Sequence, residues 1–281
     1  MTSLRYAPMA TPTGAAAGAS ARLPVWLLVP AAIGAALLVL PFVALLAQLD
    51  WASVPAAITS PEALQALGLS LTTATAATIV CLLLGVPLAV VIARAHRRLA
   101  AVLRTFTTLP LILPPLVGGI ALLALLGRQS VLGGMLAEVG VHIPFTTPAV
   151  VIAQTFVAMP FLVISVEGSL RTRGTAYEAV AATLGARPFT VFRRVTLPLV
   201  APGLLAGTVL CFARALGEFG ATALFAGNAA GVTRTMPLAI YTAFNGAGVG
   251  EDTAIALSLL LILVAIAVLA LMRGWRADAV R

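Results

Sequence analysis

Polar positions are sparse along this chain, and the stretches between them are long. Six apolar runs stand out, Pro24–Gln48, Leu67–Ala93, Thr105–Leu126, Thr147–Val166, Leu197–Ala215 and Thr253–Met272. Each is close to the roughly 20 mostly apolar residues that a helix needs to cross the hydrocarbon core of a bilayer. The pattern predicts an all-α polytopic membrane protein with six transmembrane helices spread over residues 24–272. Residues 1–23, rich in Ala, Thr, Gly and Ser, are expected to be a disordered cytoplasmic tail, and residues 273–281 a short cytoplasmic C-terminal tail. The first run is too long for a signal-peptide apolar core of roughly 7–15 residues, so a membrane helix is expected there. Whether that run is cleaved stays open. Helix breakers recur inside the runs, among them Pro87, Pro110, Pro114, Pro115, Pro160 and Pro202. Gly203 and Gly207 make a Gly-x-x-x-Gly on the fifth run. In a membrane bundle such residues kink helices and let them pack closely.

Composition agrees with lipid as the solvent. Of 281 residues, 61% are hydrophobic and only 9% charged, against about 25% charged in soluble domains. The net charge of +8 would suggest nucleic acid in a soluble protein, but here it follows the topology. All basic residues are Arg. With the N-terminus inside, the inside segments hold Arg5 and Arg22, then Arg94, Arg97, Arg98 and Arg104, then Arg171, Arg173, Arg187, Arg193 and Arg194, then Arg273, Arg276 and Arg281. Outside segments hold only Arg128 and Arg234, and Arg214 lies within the fifth run. The positive-inside rule therefore predicts that both termini are cytoplasmic.

Several chemistries find no residues. The chain has no Lys, and a phosphate-binding G-x-x-x-x-G-K-[ST] loop needs that ammonium. If ATP drives this protein, a separate subunit must hydrolyse it. His96 and His142 are far apart, and nothing near either supplies a second metal ligand at a suitable spacing. Cys81 and Cys211 sit in apolar runs and read as small packing residues. No catalytic residue, metal or bound cofactor is expected on this chain.

The longest polar interruption, Arg171–Pro198, carries five arginines. Thr175–Leu184 within it reads as a short Ala-rich helix. Thr175 and Glu178 have the spacing of a capping box, Gly185 is placed to end the helix, and Pro188 prevents immediate resumption. A capped helix on the cytoplasmic face makes a docking element for a second protein.

This loop resembles the coupling loop of ABC importer permeases, E-A-A-x-x-x-G followed by nine residues and [IV]-x-L-P. Gly185 is followed by Ala186–Arg194, then Val195, Thr196, Leu197 and Pro198, a full match. The acidic half departs: Glu178 lies seven residues before Gly185, not six, and Val180 replaces an alanine. Two further blocks are similar to the sulfate and molybdate branch of that family. They are Leu109–Gly119, with its L-P-x-x-L-P-P, and Ala213–Ala221, with its A-R-x-L-G-E-F-G-A. The run Gly231–Tyr241 looks like molybdate permeases in particular.

The resemblance implies the type I importer permease fold and a homodimeric transport subunit in the inner membrane of a prokaryote. It implies two partner ATPase subunits that hold the ATP and Mg, and a periplasmic or lipid-anchored binding protein that delivers molybdate. Sulfate or tungstate import is the alternative within the family, and a secondary transporter the alternative outside it. Coupling to the ATPase would fall to Glu178, Ala179, Ala181, Gly185, Arg187, Val195, Leu197 and Pro198.

Candidates for the translocation path are Arg214, Glu218, Thr222 and Arg234. At ~1.5 Å per residue, Arg214 stands about 24 Å beyond Pro198, toward the outer side. Glu218 lies four residues on, so the two can pair and shape the bundle, or Arg214 can line the path and attract a dianion. Arg234 between Thr233 and Thr235 could offer anion-directed donors near the entrance.

Overall fold

The computed structural model describes residues 25–246 and 251–278. The tail expected over residues 1–23 lies outside the described residues, as do the last three residues of the chain. Among the described residues the secondary structure is entirely helical. The chain divides into two units, Met1–Gln48 and Leu49–Arg281.

The first unit contributes α1 (Val25–Ala47), which includes Pro30 and Pro41. Its side chains are apolar all round, and Trp26, Leu37 and Leu38 are each more than two-thirds exposed. A helix with no polar face suits lipid.

In the second unit a short α2 (Val54–Ile58) leads to α3 (Pro61–Arg94). The Ser60 hydroxyl accepts the Ala63 N–H at 3.2 Å and Pro61 opens the first turn, so α3 begins with a strong cap. Next come α4 (Arg97–Ile112), α5 (Pro115–Leu126), α6 (Val131–Glu138) and α7 (Thr147–Arg173). Then α8 (Ala176–Thr183) and α9 (Pro188–Val191) lead through a π-helical turn, Phe192–Thr196, into α10 (Leu197–Leu216). The chain closes with α11 (Gly220–Phe225), α12 (Met236–Phe244) and α13 (Glu251–Asp278).

Among the described residues of this unit, four stretches are long and apolar enough to span a membrane, Pro61–Arg94, Thr147–Arg173, Pro188–Leu216 and Glu251–Val268. The run expected as a third span over 105–126 has a different form. Its helix starts earlier, at Arg97, and breaks after Ile112, so that α4 and α5 meet at 118°. The cause is local. Pro114 and Pro115 lack amide protons, and the residue before a proline is pushed into extended conformation. Leu113 and Pro114 accordingly have ψ values of 137° and 134°.

The core sits where α3, α7 and α10 meet. Ala74, Ala77, Cys81 and Ala89 of α3 pack with Ala158, Leu162 and Val166 of α7 and with Cys211 and Ala215 of α10. Small residues let these backbones approach closely. A β-carbon added at Gly203 would overlap the Ser169 side chain, and one at Gly207 would lie 2.9 Å from Ser165 Cβ. Ser165 Oγ donates to the Gly203 carbonyl at 2.8 Å, which fastens α7 to α10 at that contact. The two cysteines are fully buried packing residues, and Cys81 Sγ points at the Thr155 carbonyl, 3.7 Å away.

Candidate functional site

Charged side chains gather at two places. The first is the end of the bundle where α3 and α7 finish and α10 begins. There α8 is held outside the core, with no buried residue of its own. Its C-terminus is closed by a Schellman motif. Gly185 adopts φ +81°, its N–H donates to the Ala182 carbonyl at 3.0 Å, and the Ala186 N–H donates to Ala181 at 3.1 Å. This pair of bonds needs a left-handed residue at position 185, which glycine supplies without strain.

The N-terminus of α8 differs from the capping box the spacing predicts. Thr175 has φ −114° and ψ 5° and makes no side-chain cap. That conformation is not the extended one from which a capping hydroxyl reaches back over the first turn. Glu178 turns elsewhere instead. Its Oε1 forms an ion pair with Arg94, the last residue of α3, and accepts the Thr196 hydroxyl at 2.5 Å. A cavity of about 260 Å³, lined by Arg94, Leu170, Arg171, Thr175 and Glu178 among others, lies beside this junction.

The opposite face of α8 is apolar and open. Tyr177, Val180 and Leu184 are 65%, 60% and 83% exposed. Their i, i+3, i+7 spacing places them on one side of the helix. Ala179 is exposed and Ala181 half-buried, while Arg187 caps α9 with its side chain in solvent. Val195 and Leu197 are half-buried and Pro198 is exposed in the first turn of α10.

A second carboxylate stands nearby. Glu167 on α7 is nearly enclosed and receives Arg104 of α4 at 2.5 Å and Arg171 at 2.7 Å. Sequence reasoning missed Arg94, Thr196, Arg104 and Arg171 as partners, and also the Tyr177–Val180–Leu184 face. The apolar i, i+3, i+7 spacing within a polar loop was the available signal for that face. The long-range pairs left none.

The second gathering is at the other end of α10. Arg214 reaches Glu218 Oε2 at 2.6 Å, and the acid's side chain is 1% exposed. Helix α10 ends at Leu216, so Glu218 stands in the joint before α11. Its Oε1 accepts the Ala221 N–H at 2.8 Å and caps α11. Thr222, in the first turn of α11, is fully buried.

Arg234 lies apart from this joint. Its Nε donates to Asn228 Oδ1 at 2.9 Å and its terminal nitrogen to the Asn228 carbonyl at 3.3 Å. It lines a pocket of about 410 Å³ with Glu62, Ser53 and Thr242, and Arg214 does not border that pocket. The threonines on either side of Arg234 turn inward. Thr233 and Thr235 are fully buried, and the Thr233 hydroxyl is occupied in accepting the Ala229 N–H. They alternate with Arg234, so the turn that leaves the arginine half-buried directs them inward.

A bundle of apolar helices with broken and glycine-packed spans, and one small helix presented beyond its end, defines a multi-pass helical membrane protein. Residues 85–277 match the family described as "Binding-protein-dependent transport system inner membrane component", and the chain belongs to that family. It is 56% identical over 219 residues to the "Molybdenum transport system permease protein ModB" of Mycobacterium tuberculosis, covering 78% of this chain and 83% of that protein. It is 35% identical over 208 residues to the "Sulfate transport system permease protein CysT" of Salmonella typhimurium, with 73% and 75% covered. Its fold is similar to a chain of a bacterial alginate ABC transporter solved with an alginate-bound periplasmic protein. The TM-score is 0.70, the identity 17%, and 88% of this chain and 92% of that chain are covered.

Proposed function

We propose that this chain is the membrane-spanning subunit of an ATP-driven importer of molybdate. The observation that carries the importer reading is the open apolar face of α8, Tyr177, Val180 and Leu184. Three large apolar side chains exposed on a helix outside the core call for a protein groove. Arg distribution puts that helix in the cytoplasm, with both termini on the same side. The occupant is an ATPase subunit, because this chain has no Lys with which to build its own phosphate loop. ATP and Mg reside on that partner, and no cofactor belongs to this chain. Molybdate as cargo is supported by the 56% identity to ModB over 219 residues.

The working unit is a homodimer with one ATPase under each α8 and a binding protein on the outer face. ATP binding draws the two ATPases together and carries the α8 helices with them. The cycle runs because ATP binds one conformation of the assembly better than the other. Of the candidate path residues, Arg214, Glu218 and Thr222 lie at the outer joint of α10 and α11, where that movement would open or close the route.

The test is molybdate uptake by the native cells with and without this chain, with sulfate and tungstate as competitors. Loss of uptake on deletion, undiminished by excess sulfate in the parent, is the expected result. Loss of sulfate uptake alone would keep the importer and replace its cargo. Uptake unchanged for every oxyanion would overturn the reading.

A further inference from the structure

Glu178 is the meeting point of three segments. One carboxylate oxygen takes both Arg94, which ends α3, and Thr196, which ends the π-helical turn before α10. These partners lie 84 and 18 positions away in the chain. The acid's side chain is 13% exposed and that of Arg94 42%. The eight residues of α8 bury no side chain, and an isolated helix that short is marginal by itself. The carboxylate is therefore a principal tie between α8 and the spans.

The register of the acid explains its direction. The family's pattern sets the acid six residues before the glycine, which is position 179 here. Ala179 is exposed. One residue of shift turns a side chain about 100° around the helix axis, and Glu178 points at α3 and the π turn instead of outward. The π turn is a second pointer, since such turns inside a helix recur at functional sites.

We propose that Glu178 is a positioning residue that passes the displacement of α8 to α3 through Arg94 and to α10 through Thr196. It is not a contact to the ATPase. The docking face is Tyr177, Val180 and Leu184, and the transmission face is Glu178. This proposal rests on the reading of α8 as the ATPase-docking helix. The cavity beside the junction leaves room for α8 to tilt when the tie is cut, so that docking is kept while its consequence is lost.

The experiment uses the whole complex, with ATPase and binding protein, in proteoliposomes. It reads ATPase copurification and molybdate moved per ATP hydrolysed for E178A, the charge reversal R94E with E178R, and L184E. The expected result is that E178A retains the ATPase subunit while transport per ATP falls about tenfold, a size common for coupling between sites. The double reversal should recover a large part of that loss, because it restores the ion pair between α8 and α3, and no recovery would mean that this pair does not carry the displacement. If E178A sheds the ATPase subunit, Glu178 is itself a docking contact and the proposal fails. It fails equally if the transport ratio is unchanged. Retention of the ATPase by L184E would instead remove the docking reading of α8 on which the proposal stands.

Discussion

Glu178 and Glu218 are both carboxylates answered by an arginine, and they are wired in opposite ways. Glu218 finds everything it needs within eight residues of chain: Arg214 one turn back at 2.6 Å and the Ala221 N–H ahead at 2.8 Å. It is fully buried. Glu178 draws on helices far away in the chain and lies near the surface. A local, enclosed pair makes a tight joint, because the few residues between its members leave them little room to part. A long-range pair at a bundle end joins elements that can otherwise move separately. Arg214 is already balanced by Glu218, so its guanidinium brings little uncompensated charge to a passing dianion, and the pair instead fixes where α10 stops and α11 starts.

The largest expected effect lies at the enclosed joint. Glu218→Ala removes the cap of α11 and leaves Arg214 without its partner. Breaking a buried ion pair from one side costs about 3–5 kcal/mol. Thermal unfolding in lipid nanodiscs should show a large drop for Glu218→Ala. Glu178→Ala should show a small one, because pairs with an exposed member are worth about 0–1 kcal/mol. Equal losses from the two substitutions would erase the distinction between joint and link.

A middle effect is expected at Gly185. Its φ of +81° is unfavourable for any residue with a β-carbon, by about 1–2 kcal/mol, and worst for a β-branched one. Gly185→Val should loosen the Schellman end of α8 and swing Leu184 off the apolar face. Pull-down of the ATPase subunit and molybdate uptake should fall together, with the unfolding temperature of the bundle little changed because α8 lies outside the core. A variant that keeps both the pull-down and the uptake would show that α8 is not the docking helix.

The spans were legible in the sequence because lipid demands long apolar runs, and length alone marks them. The Schellman stop was legible for the same kind of reason, since a glycine after an Ala-rich helix carries its own local geometry. The break at Leu113–Pro115 was visible as two prolines, but the 118° at which α4 and α5 meet was not. The capping role expected of Glu178 was wrong because a charged partner 84 positions away outcompeted a neutral backbone N–H. No periodicity in the chain records such a meeting. Glu218 was readable as a partner of Arg214 at i, i+4, yet its second task, capping α11, appears only once α10 is seen to end before it.

The smallest expected effect concerns Arg234, which resembles Glu218 in its local wiring and Glu178 in its exposure. Two of its nitrogens are spent on Asn228, six residues back, and the rest of the group borders a pocket shared with Glu62. A net hydrogen bond contributes about 0.5–1.5 kcal/mol, so Arg234→Ala should lower stability by about 1 kcal/mol. Asn228→Ala removes the side-chain half of the same bracket without touching the arginine's charge. If Arg234 serves as a brace, the two substitutions act alike on both unfolding temperature and the concentration dependence of molybdate uptake. If Arg234→Ala alone weakens uptake at low molybdate while Asn228→Ala does not, the guanidinium meets the anion directly. That end of the bundle would then hold a link of its own, and the contrast between a tight joint at one end of α10 and a mobile tie at the other would have to be redrawn.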